Sequence, residues 1–178
     1  MKVKSKKCCI CKTEFIPRNS LQKVCGIECG ITTANKIRVR KERHELAVRK
    51  EAIKSRSDWL REAQAAFNAW IRKRDKGNSC ISCNRSTGAK INAGHYLAVG
   101  SHPELRFNEL NNNLQCEHCN TYLSGNQLEY RKGLIAKIGI EKVEWLESKH
   151  EPKKYTIEEI KEIKQKYKLK LKELQSKI

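Results

Sequence analysis

The chain is short of acidic residues, aromatics and proline: 20 Asp and Glu stand against 38 Lys and Arg, aromatics make up 6% of 178 residues, and there are 3 prolines. With only 38% hydrophobic residues, a large self-sufficient core is excluded, and any compact module needs a covalent or metal staple. No apolar run approaches membrane-spanning length, and Met1 to Lys7 pass straight into cysteines without a hydrophobic signal core. We therefore expect a cytoplasmic protein with no membrane partner. The shortage of negative charge leaves a formal net charge of +18, a surface that repels itself unless a polyanion covers it, so nucleic acid is the default partner. The length suits one ordinary domain or two small modules joined by helices.

What the chain does have is 9 cysteines. In a reducing compartment, close cysteine pairs point to metal rather than disulfides. Cys80-Ile-Ser-Cys83 and Cys116-Glu-His-Cys119 are two CxxC knuckles that present four thiolates tetrahedrally to a structural Zn²⁺, leaving no open position for catalysis. Cys8, Cys11, Cys25 and Cys29 predict a second structural Zn²⁺. Using Cys9 instead would leave one residue between ligands and close the knuckle poorly, so Cys9 is the odd one out. Eight thiolates and two zinc ions lower the charge only to roughly +14. Lys6, Lys7, Lys12, Arg18 and Lys23 surround the first set and are candidate phosphate contacts.

These features predict a small, mostly helical α+β protein: a four-cysteine zinc finger over 1–34, a basic helical linker over 35–75, a zinc-stapled segment holding the chemistry over 76–130, and a helical region over 131–178. From Asn35 to Asp75 there is no glycine or proline. The first half offers Lys36, Arg38, Arg40, Lys41 and Arg43 to DNA. The second half carries an apolar stripe of Trp59, Ala63, Ala66, Phe67, Trp70 and Ile71 at helical spacing. Ser57 is the expected cap after a break near 55–57. A short helix over 139–149 is expected to end before Pro152. Thr156 and Glu159 form a capping-box pattern, and Ile157, Ile160, Ile163, Tyr167, Leu171 and Leu174 continue one apolar face, to pack on the body or on a second subunit.

Between the CxxC pairs lie Gly94-His95-Tyr96, Arg106-Phe107-Asn108-Glu109, Asn111-Asn112-Asn113 and Gln115-Cys116, followed by Cys119-Asn120 and Ser124-Gly125-Asn126. Taken separately these are ordinary residues; their joint placement resembles the HNH, or ββα-metal, plan of recombination endonuclease VII. The whole chain resembles more closely the NinG, or Rap, recombination proteins of lambdoid phages. The resemblance implies His95 as general base, Asn111 as a brace for the loop and Asn120 as a metal-reaching residue, with His95 and Asn120 together bordering the catalytic metal. It also implies a structure-specific endonuclease that cuts D-loops and Holliday junctions in phage recombination, acting on branched DNA in the bacterial host cytoplasm. Hydrolysis needs a base that titrates near neutrality, which histidine supplies, and a hard cation, Mg²⁺ or Mn²⁺, held by oxygen. One departure stands out: endonuclease VII has an aspartate metal ligand before the histidine, and here that position is Gly94. Glu109, Glu117, His118, a backbone carbonyl or waters are the open alternatives. Two cuts across a junction favour a twofold dimer, through the Trp59–Ile71 stripe or the last helix. The competing readings are a non-catalytic zinc-dependent DNA-binding recombination accessory protein and an HNH nuclease acting on linear duplex.

Overall fold

In the computed structural model residues 4–86 and 90–176 are described. The chain forms two compact units, Met1–Lys54 and Ser55–Ile178, so the helical stretch 35–75 is divided between them.

In the first unit, strands β1 (Lys6–Lys7) and β2 (Glu14–Phe15) pair antiparallel, with Lys6 opposite Phe15 and Lys7 opposite Glu14. The turn between them carries Cys8 and Cys11. It is closed by Cys8 N–H donating to Thr13 O at 2.9 Å and Lys12 N–H donating to Cys8 O at 3.0 Å. Helix α1 (Ile27–Ala52) then brings Cys29 in on its first turn and has no buried residue along its length. Its ion pairs Arg38–Glu42 and Lys41–Glu45 lie at 3.9 and 4.0 Å on the surface, where such pairs contribute about 0.3–0.5 kcal/mol each. Length and a run of good helix formers sustain α1 in place of packing.

The second unit is built on α2 (Arg56–Arg74) and α5 (Ile157–Ser176), packed along their apolar stripes. The expected cap at Ser57 is corrected to Ser55, whose hydroxyl accepts from Asp58 N–H while the Asp58 carboxylate accepts from Ser55 N–H. A capping box needs an acidic partner three residues on, and Asp58 provides it for Ser55, whereas Ser57 has Leu60 there. For α5 the expected box forms: Thr156 and Glu159 bond reciprocally at 2.8 and 3.2 Å. Trp59, Ala63, Phe67, Trp70 and Ile71 are buried against Ile160 and Tyr167, with Phe107 and Tyr155 closing the cluster. Phe67 meets Tyr167 edge-on with ring centres 4.6 Å apart. The two stripes cover each other, so the face of the last helix packs on the body, the first of its two expected alternatives. Joining the two faces within one chain avoids the entropy cost of association.

Between α2 and α5 lie β3 (Ile91–His95) and β4 (Asn112–Cys116), antiparallel with Ile91 opposite Cys116 and His95 opposite Asn112. A five-residue helical turn, His118–Tyr122, follows, then α3 (Gln127–Ile138) and α4 (Ile140–Glu147). A buried ionic knot ties this ribbon to α2. Asp75 accepts from Leu114 N–H at 3.1 Å and pairs with Lys137 of α3 at 3.2 Å, while Arg74 donates to Glu109 O and Asn112 O at 3.0 and 2.9 Å. Burial opposes the charge on Asp75, but Arg74, Lys137 and Leu114 N–H outweigh it and hold the carboxyl below its ordinary range.

A second cluster, centred on Tyr96, Tyr130, Leu134, Val143 and Leu146, fastens α3 and α4 to the ribbon. Here α3 approaches the first knuckle so closely that a Cβ on Gly133 would stand 2.0 Å from Ile81 O. Alanine is the better helix former, yet Gly133→Ala is expected to destabilise the fold by about 1–3 kcal/mol through this clash. A lower urea midpoint checks it; a raised midpoint would contradict the close approach.

Candidate functional site

The structure brings Cys8, Cys11, Cys25 and Cys29 together, and likewise Cys80, Cys83, Cys116 and Cys119, with the four sulfurs of each group within 4.8 Å of one another. A tetrahedral zinc thiolate centre sets neighbouring sulfurs about 3.7 Å apart; Cys25–Cys29 and Cys83–Cys116 stand at 3.7 and 3.9 Å. Cys9 is exposed and stays outside, its N–H donating to Lys23 O. In the second set, Cys116 N–H and Cys119 N–H point at the sulfurs of Cys80 and Cys116 at 3.4 and 3.5 Å. Burial pushes the Cys80 thiol up, but N–H groups of Cys116, Cys83 and Ser82 overcome it and bring its pKa to about 7. Cys119 is driven the other way, to about 12, by burial first and then by its neighbouring sulfurs. Four thiols this close cannot all ionise without a cation among them, and both groups have the soft donor set of a closed Zn²⁺ site.

His95 ends β3, half-buried. Its Nε2 lies 3.1 Å from Arg106 O and 2.9 Å from the Asn112 amide. A carbonyl can only accept, which puts the proton on Nε2 and leaves Nδ1 free to take one. The Asn112 amide suits that tautomer with its oxygen turned to the ring, an orientation related to the other by a half-turn of its side chain. Burial is the main reason that the His95 pKa sits below the ordinary histidine value, so the ring is neutral at pH 7. Asn111 is fully buried. Its Oδ1 accepts from Leu97 N–H at 2.8 Å, and its Nδ2 donates to Leu97 O and Leu105 O at 3.1 and 3.3 Å. These bonds clamp both ends of the loop that supplies the Arg106 carbonyl.

Asn120, one residue past Cys119, sits in the helical turn with its Oδ1 3.0 Å from the point where a Cβ on Gly94 would stand. Asn120 and the residue preceding His95 are thus neighbours across the ribbon. The carboxylates considered for position 94 go elsewhere. Glu109 accepts from Tyr167 and Lys170 of α5, and Glu117 pairs with Lys90 at 3.2 Å. His118 is exposed and lies against Tyr122. Two residues that sequence reasoning missed are Asn112, which fixes the His95 ring, and Gln115, which is fully buried beside Gly94. A signal for both existed: β4 reads Asn-Asn-Leu-Gln, too polar for a buried strand unless its amides are committed to a site.

The remaining candidates lie in the first unit. Lys6, Lys7, Lys12, Arg18 and Lys23 are exposed around the finger, and Lys36, Arg38, Arg40, Lys41 and Arg43 are exposed along α1. Lys6 and Lys12 also donate to Ser20 O and Cys9 O.

Comparison with known proteins follows the chain nearly from end to end. A family model described as Bacteriophage Lambda NinG protein matches residues 1–177. Protein ninG of Escherichia phage lambda is 41% identical, over 93% of this chain and 90% of its own length. Protein ninG of Escherichia phage 933W is 40% identical, over 96% and 94%, and that of Salmonella phage P22 is 41% identical, over 92% and 90%. No solved structure matches. With the match extending across both cysteine groups and the ribbon between them, the chain belongs to the NinG family of lambdoid phages.

Proposed function

We propose that this protein is a divalent-metal-dependent DNA endonuclease that cuts branched recombination intermediates, D-loops and Holliday junctions, and that β3, β4 and the turn His118–Tyr122 form its ββα-metal core. The observation that carries this reading is His95 with its Nε2 pinned by Arg106 O, leaving Nδ1 as a base, next in the chain to the residue against which Asn120 Oδ1 rests. His95 takes the proton of the attacking water at Nδ1, while Arg106 O and Asn112 stop the ring from turning. Asn111 keeps that carbonyl in place by holding the loop. Asn120 offers an amide oxygen, the donor that a hard cation such as Mg²⁺ or Mn²⁺ prefers, and a cation held there would neutralise charge on the phosphate and the leaving 3′ oxygen. Zinc at Cys80, Cys83, Cys116 and Cys119 has no role in the chemistry beyond setting the helical turn against the ribbon.

The exposed basic face of α1 suits phosphate contacts that position DNA without reading its sequence. Replacing Arg38, Arg40 and Arg43 together with alanine is expected to weaken binding alike on unrelated sequences. The slope of log affinity against log salt should shrink by up to about 3. An unchanged slope in a fluorescence titration would remove α1 from the DNA contact.

The substrate class is tested by cutting rates on a four-way junction and on linear duplex of matched sequence. Faster cutting of the junction is expected. Equal rates would make it a nuclease of linear DNA, and binding without cutting would make it a recombination accessory protein.

A further inference from the structure

Gln115 is buried without exposure on β4. Its Nε2 donates to Ser82 Oγ at 2.7 Å and to Gly125 O at 2.6 Å. The Gly125 carbonyl can only accept, so the orientation of the amide is fixed by chemistry: nitrogen toward Gly125, oxygen away from it. That oxygen, Oε1, has no hydrogen-bond partner among the described residues. Leaving a buried amide oxygen unmatched costs about 1–3 kcal/mol, so the position calls for a reason.

The reason lies in where Oε1 points. It is 2.2 Å from the place a Cβ on Gly94 would occupy, and Asn120 Oδ1 is 3.0 Å from the same place. Two amide oxygens converge where position 94 has no side chain when Asn120 turns Oδ1 inward, as it stands here; a half-turn would set its Nδ2 against Oε1 instead, and a cation selects the first orientation. Two partial negative charges gathered at one spot are stabilised by a cation, and hard divalent cations select oxygen donors of this kind. Gly94 leaves room for this convergence, since any side chain there would evict Gln115 Oε1.

Resting on the nuclease reading above, we propose that Gln115 Oε1 and Asn120 Oδ1 together bind the divalent cation, Gln115 supplying the protein ligand that a carboxylate at position 94 would otherwise provide. The ligands are neutral, so the free protein holds the ion weakly, with waters filling its shell, and the DNA phosphate completes the charge balance. Metal affinity therefore rises when DNA is bound.

The test is Mn²⁺ binding to the full-length, zinc-loaded protein, read by the loss of the free Mn²⁺ signal in electron paramagnetic resonance. It is run on wild type, Gly94→Ala, Gln115→Ala and the exchange Gly94→Asp with Gln115→Ala. Gly94→Ala and Gln115→Ala are each expected to weaken Mn²⁺ binding by about tenfold or more, with zinc content and circular dichroism unchanged. The exchange should restore it or exceed wild type, because a carboxylate then occupies the shared place. If Gly94→Ala fails to fold, Gln115→Ala carries the test, since it removes atoms and introduces no clash. Wild-type Mn²⁺ affinity in folded Gln115→Ala, in a protein that still cuts DNA, would overturn the assignment of Gln115 and leave the nuclease standing. A wild type that neither binds Mn²⁺ nor cuts would overturn both.

Discussion

Cys119→Ser is expected to hold one zinc equivalent per chain in place of two and to lose the ordered ribbon. The second cysteine group joins three pieces otherwise held by a few hydrogen bonds, among them Gln115 to Ser82 and Gly125: the knuckle at Cys80–Cys83, the end of β4 at Cys116, and the turn carrying Asn120. A structural zinc contributes an apparent 10–16 kcal/mol, about as much as the whole stability of a typical domain. Its loss frees the turn and with it Asn120. The cluster of Phe67, Trp70, Ile160 and Tyr167 joins α2 to α5 without help from the cysteines, so much of the helical signal should survive while the β3–β4 amide resonances collapse. Two zinc ions retained and an unchanged amide spectrum would contradict a structural metal.

His95→Ala is expected to lower the cleavage rate by about 10²–10⁴-fold, the range for removing a positioned general base. Zinc content and DNA affinity should stay at wild-type values, because among the described residues the ring hydrogen-bonds only to Arg106 O and the Asn112 amide, while the proposed phosphate contacts lie on the finger and α1. Asn111→Ala should behave differently. It removes three bonds that hold the loop, so stability and rate should fall together, and a urea titration separates the two variants.

The cysteine groups were legible because two or three residues between paired cysteines already fix the geometry of a knuckle. The helices were legible from their caps and stripes, although Ser55 and Ser57 could be told apart only by noticing Asp58. An apolar stripe announces that it is buried and is silent about what covers it, which is why the sequence left the body and a second subunit both open for faces that cover each other within one chain. Gly94 was misleading for a related reason. It reads as a missing ligand, and in space it makes room for Gln115 Oε1, as Gly133, which drew no notice in the sequence, makes room for Ile81 O. Pattern along the chain reports the side chain present at a position and carries no word of a neighbour from a distant strand. The commitment of Asn112 to His95 was hidden likewise, since strand pairing sets it.

The most direct test is cleavage of an end-labelled four-way junction by the zinc-loaded full chain, wild type and His95→Ala, with Mg²⁺ or with EDTA, alongside binding measured on the same junction. Cutting by wild type that needs Mg²⁺, and is lost in His95→Ala while binding persists, is the predicted result. Tight binding with no cutting under Mg²⁺ or Mn²⁺, or equal cutting by His95→Ala, would contradict a nuclease built on His95.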